Sequence, residues 1–179
     1  MMNVINGGKH ADSGLSFQEC MIIPTGLSSF TEAIQAGAET FHALKKLLKD
    51  AGYTVSVGDE GGFAPQVKNA DEAFDFLMKA IDAAGYTGKM QIGIDAAASE
   101  FCNDGSYDLD GKTVSSAELT AYYEELCKKY PLVSIEDSHS EDDWDGFADL
   151  TAKLGDAKQL VGDDLLVTNV ERIQKAIDE

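Results

Sequence analysis

The sequence predicts an α/β protein in which parallel strands are covered by helices. Two patterns carry that expectation. Short apolar runs alternate with helical periodicities from residue 90 onward, and three of those runs end in an acidic residue, Asp95, Glu136 and Asp163. Short connections between such units require right-handed crossovers, which build either an open doubly wound sheet or a barrel. Periodicity leaves both architectures open.

Residues 1–6 and 19–23 are apolar runs closed by Gly7-Gly8 and by Pro24-Thr25-Gly26, and they read as two short opening strands. From Ser29 the period lengthens. Phe30, Ile34, Gly37, Phe41, Leu44 and Leu48 share a helical face that stops at Asp50-Ala51-Gly52. A polar loop, Gly58-Asp59-Glu60-Gly61-Gly62, leads to a second helix whose face holds Ala73, Phe74, Leu77, Ala80, Ile81 and Ala84. Residues 90–95 form the next strand, followed by a Gly/Asp-rich turn and a helix over 119–129. Strands at 132–137 and 159–164 flank a helix over 144–154, and a last helix opens after Thr168-Asn169. Ile92, Ile94, Val133 and Ile135 are expected on the barrel-facing side. The strand at 159–164 is expected to be an open edge that leaves Leu160 and Val161 short of partners.

Composition narrows the function classes. Asp and Glu number 32 against 14 Lys and Arg, a net charge of -18 over 179 residues. Such a surface repels polyanions, which argues against nucleic acid as a partner. Cys20, Cys102 and Cys127 are odd in number, widely spaced and without a C-x-x-C pair, so neither a disulfide framework nor structural zinc is indicated. No apolar run reaches the roughly 18 residues a membrane helix needs, and no export signal is expected. The expected setting is the cytoplasm.

Acids that end parallel strands lie at the carboxyl edge of the sheet, where both barrels and open sheets bind ligands. Three carboxylates gathered there repel one another unless a cation neutralises them, and an oxygen-only donor set suits a hard ion, Mg2+ above all. The plainer reading is that each acid caps the following helix or faces water. Asp137 and Asp164 follow two of the acids and are expected to point elsewhere, as capping groups. The Gly58–Gly62 segment lacks the Lys-Ser or Lys-Thr of a phosphate loop. His10 lies in a glycine loop after the first strand, His42 lies within a helix, and His139 is expected to line the site without acting in it.

Taken in order, Asn-Gly-Gly-x-His at 6–10, Gln18-Glu19, Gly58-Asp59-Glu60-Gly61-Gly62, Asp95 before Ala-Ala-Ala-Ser-Glu, Ser134-Ile135-Glu136-Asp137 and Gly162-Asp163-Asp164-Leu165 resemble the enolase (phosphopyruvate hydratase) family. The resemblance covers the whole chain. It implies an incomplete TIM-like (β/α) barrel beginning with a β-hairpin and two helices. Residues 1–179 would be part of the C-terminal barrel domain, with the family's N-terminal domain and the end of the barrel absent. It further implies the glycolytic, Mg2+-dependent dehydration of 2-phosphoglycerate to phosphoenolpyruvate in a homodimer or larger homo-oligomer, with a secondary cell-surface or secreted pool left open. Asp95, Glu136 and Asp163 would bind the metal, Glu136, Asp163 and Glu19 would also meet the substrate, Glu60 would be the general acid assisted by Glu19, and His10 and Gln18 would line the pocket. The family's base, a lysine on a later strand, has no counterpart, so the chain alone is expected to be inactive. The alternatives are a noncatalytic binding or surface protein on the same fold, and a sugar-acid dehydratase of the same superfamily.

Overall fold

A computed structural model describes residues 1–179. Strands β1 (Met2–Asn6) and β2 (Glu19–Ile23) form an antiparallel pair. Helices α1 (Phe30–Asp50) and α2 (Ala70–Ala83) follow, then β3 (Gln91–Asp95). A small sheet is made of β4 (Cys102–Asn103), β5 (Ser106–Leu109) and β6 (Lys112–Ser115). The chain continues through α3 (Ser116–Lys129), β7 (Leu132–Glu136), α4 (Trp144–Leu154), β8 (Gln159–Val161) and α5 (Val170–Asp178). The main sheet has the order β1-β2-β3-β7-β8 and does not close on itself, as an incomplete α/β barrel requires.

Helix starts follow from local chemistry. Ser29 Oγ accepts from the Glu32 amide, Asn69 Oδ1 from the Glu72 amide, and Ser115 and Glu118 exchange hydrogen bonds in a capping box. The apolar faces of α1 and α2 enter one core. Leu44, Leu48, Phe74, Leu77 and Ile81 are fully buried there with Ile22, Ile92, Ile94 and Ile135 from the strands. No helix is long and apolar enough to cross a membrane.

The structure adds the direction of one strand and corrects two expectations. Strand β2 runs against β3, whereas β3, β7 and β8 are parallel. Two helices stand between β2 and β3, and an even number of crossings returns the chain to the sheet end it left, so β3 must run the other way. The Gly/Asp-rich stretch is a three-stranded meander rather than one turn. Asp104-Gly105 and Asp110-Gly111 each place both residues at positive φ, near 50° for Asp and 79° for Gly, the geometry of two-residue hairpin turns. Ile92, Ile94 and Ile135 are fully buried and belong to the helix-covered core. By alternation the other face carries Gln91, Gly93, Asp95, Ser134 and Glu136. Val133 sits where the β3–β7 register slips by one residue.

Strand β8 is an edge and ends at Val161, short of the expected 164. Beside it an apolar trough of about 420 Å³ is lined by Trp144, Phe147, Leu160, Leu165 and Leu166. On α5, Val170, Ile173 and Ile177 form an exposed helical row. An unpaired edge next to apolar surface favours association. The chain is expected to sediment as a self-associated species and to bind hydrophobic dye, and Val170→Lys with Ile177→Lys is expected to reduce both. A wild-type monomer that binds no dye and unfolds in one sharp transition contradicts this.

Candidate active site

The reversal of β2 builds the site. Residue pairing sets Asn6 opposite Glu19, Glu19 opposite Asp95, Asp95 opposite Glu136, and Glu136 opposite Val161. One row therefore crosses five strands at a single edge of the sheet, with the first residue of β2 aligned to the last residues of β1, β3 and β7. Beneath the row, a Cβ at Gly93 would come 3.0 Å from Ile23 Cδ1 and 3.4 Å from Ser134 Cβ. Ile23 thus lies over Gly93 and forms an apolar floor.

Asp95, Glu136 and Asp137 each offer an oxygen within 4.8 Å of the others. Asp95 accepts from the Ala97 amide at 2.9 Å and from Gln18 Nε2 at 3.4 Å. Burial, and next to it the charge of Glu136, push Asp95 up to about 7 from an ordinary 3.8. Glu136 is raised too, by burial first and then by Asp137 and Asp163. Asp137 plays a different part. Its two oxygens accept from the amides of Asp164 at 2.9 Å and Leu165 at 3.4 Å. That capping role, expected from the sequence, ties β7 to the turn that carries Asp163, although an Asp137 oxygen also lies within the group formed with Asp95 and Glu136. Ala97 and Asp137 both hold positive φ, 44° and 42°, so backbone strain sits at the ends of the acid-bearing strands.

A second group adjoins the first. His10, Glu19 and Glu60 each offer a ligand-type atom within 4.8 Å of the others. His10 Nδ1 lies 3.3 Å from Glu19 Oε1, near enough for charge attraction yet without hydrogen-bond alignment. Burial raises Glu19, His10 opposes that rise, and Glu60 adds to it. Glu60 reaches this group on the Gly58–Gly62 loop, where the Asp59 amide donates to the His10 carbonyl at 3.2 Å and the Gly58 amide to the Gly62 carbonyl at 2.8 Å.

Of the residues singled out in the sequence, the structure brings His10, Gln18, Glu19, Glu60, Asp95 and Glu136 to this edge. Asp163 is exposed and lies outside the tight group, although its charge is felt by Glu136. His139 does not line the site. It is 1% exposed, within hydrogen-bonding distance of Ser138 Oγ, Thr120 Oγ1 and the Ser116 carbonyl, and burial lowers its pKa. Lys9 pairs with Glu100 at the rim. Sequence reasoning passed over Asn6, which lies in the row and is fully buried.

The chain matches, over residues 1–179, the family described as the enolase C-terminal TIM barrel domain. It belongs to the enolase barrel family. In this enolase barrel the donor set of the row is all oxygen and crowded enough to hold Asp95 partly protonated near neutrality, which fits a hard divalent cation.

The raised Asp95 has a linked consequence. Between pH 3.8 and about 7 the folded chain holds a proton that the unfolded chain has released, so this group's contribution to stability is complete below 3.8 and is lost as pH rises through about 7. The Tm of Asp95→Asn minus that of the metal-free wild type is therefore expected to grow from pH 4 to pH 7.5, and Mg2+ is expected to narrow the gap at the upper end. Thermal unfolding curves that stay parallel across this range refute the assignment.

Proposed function

We propose that this chain carries the cation-binding and acid half of an enolase site, which serves the Mg2+-dependent dehydration of 2-phosphoglycerate to phosphoenolpyruvate. The observation that carries the reading is the adjacency of two ionisable groups at one sheet edge, Asp95–Glu136 and His10–Glu19–Glu60. Asp95 and Glu136 would hold Mg2+, with Asp163 supplied from the turn after β8. When bound, the cation supplies positive charge where removal of a proton next to a carboxylate would otherwise build a highly charged enediolate. Glu60, exposed on its loop, gives a proton to the leaving hydroxyl. Glu19 lies beside Glu60 in the same group and would assist it. His10 and Gln18 border the same space, and Gln18 also fixes one oxygen of Asp95.

Proton abstraction needs a base, and no strand of the main sheet carries a lysine. A second reading is a domain that binds the cation without turning substrate over. Two measurements separate the readings and test both. Calorimetry should show Mg2+ binding by the chain, weakened at least about tenfold by Asp95→Ala, as loss of a direct charged ligand implies, and little changed by Glu60→Gln. Assayed alone, the chain should give no phosphoenolpyruvate above background, because no base is positioned. Mg2+-dependent turnover by the pure chain excludes the noncatalytic reading, and unaltered Mg2+ binding by Asp95→Ala overturns the proposed cation site.

A further inference from the structure

Glu60 is brought over Glu19 by a loop whose two glycine ends rest on one side chain. A Cβ built on Gly58 would lie 2.6 Å from the His10 carbonyl oxygen, 2.8 Å from Asn6 Cβ and 3.1 Å from Asn6 Cγ, and one on Gly62 would lie 2.7 Å from Asn6 Oδ1 and 2.9 Å from the Val4 carbonyl carbon. Only glycine fits that close an approach, so the loop backbone lies directly against the amide. The same stretch of β1 also holds the loop by its backbone. The Asn6 amide donates to the Phe63 carbonyl at 2.8 Å, and the Phe63 amide donates to the Val4 carbonyl at 2.9 Å.

The Asn6 side chain is 0% exposed, and neither its Oδ1 nor its Nδ2 has a hydrogen-bond partner. Both side-chain polar atoms of Asn3 are unpartnered as well, and its Oδ1 lies 3.0 Å from the Cβ position built on Gly62. An apolar side chain would fill this place without desolvating an amide, so stability alone does not account for asparagine here. Its flat, short amide does suit a spacer between the row of the sheet and a glycine backbone.

We propose that Asn6 is the positioning residue for Glu60, its amide setting the height of the Gly58–Gly62 loop above Glu19. The proposal rests on the reading of Glu60 as the acid of the site. Removal of the amide leaves a space beneath Gly62 and takes from Gly58 its contact with the amide carbon, while the His10 carbonyl and the residue 6 Cβ stay. The loop then loses its rest while Asp95 and Glu136, held by β3 and β7, keep theirs.

The test is amide-resolved NMR on the chain, comparing wild type, Asn6→Ala and Gly62→Ala, the last of which puts a methyl between the loop and the Asn6 amide. Hydrogen exchange at Gly58, Asp59, Gly61 and Phe63 is followed with and without Mn2+, whose broadening reports distance from the cation. Asn6→Ala is expected to speed exchange at these loop amides at least tenfold relative to amides in β3, and to change their broadening while that of Ala96 and Ala97 stays as in wild type. Gly62→Ala is expected to give the same loop-local pattern, which decides the question if Asn6→Ala does not fold. Loop amides that keep wild-type exchange in either folded variant, or that change only in step with every other amide, overturn the proposal. Absence of Mn2+ broadening at Ala96 and Ala97 in the wild type overturns the cation reading instead, and the exchange comparison still decides the role of Asn6.

Discussion

The lateral register of β2, β3 and β7 is the constraint on which the rest of the site depends. Glu19, Asp95 and Glu136 are consecutive partners across the sheet, so their carboxylates share one face at one edge. A slip of one residue in either pairing would turn an acid into the helix-covered core, where Ile94 and Ile135 now sit. The hydrophobic faces of the helices therefore fix the electrostatics indirectly. They hold the isoleucines on one side of the strands, and alternation leaves the acids no other place.

That placement opposes stability. Asp95 and Glu136 are both raised by burial and by neighbouring negative charge, and the surrounding chain is itself strongly acidic. Neutral donors answer part of this. The Ala97 amide and Gln18 fix the two oxygens of Asp95, and the Asp164 and Leu165 amides occupy Asp137. Amides orient a carboxylate without cancelling its charge, so the arrangement keeps the negative charge that the proposed cation would neutralise. Glu60 meets the row from a different element, a glycine loop anchored on β1, so its position is set apart from those of Asp95 and Glu136.

Much of this was legible in the sequence, because apolar runs that stop at an acid report a local event, the end of a strand. Asp95 and Glu136 were found that way, and the helix starts at Ser29, Asn69 and Asn169 follow local capping rules. The reversal of β2 was not legible from residues 19–23, since it follows from two helices that come later. Glu19 could be assigned only through a motif, although geometry makes it the partner of Asp95. The meander at 102–115 did carry a local sign, two Asp-Gly pairs at hairpin spacing, which reads as a single turn when strands of two to four residues are overlooked. Asn6 was read only as the end of the first strand and the start of a motif, because its burial is created by a loop more than fifty residues away. The barrel-facing role given to Ile92 and Ile94 reversed inside and outside, since an apolar run alone does not say which face the helices cover.

The most direct measurement of the central claim is anomalous diffraction from a crystal of the chain soaked in Mn2+. The account predicts one strong peak between the carboxylates of Asp95 and Glu136, with oxygen ligands near 2.1 to 2.2 Å, roughly the distances of a hard divalent ion, and Asp163 drawn toward it. A peak among His10, Glu19 and Glu60 with none at Asp95, or no peak at the sheet edge, would contradict it.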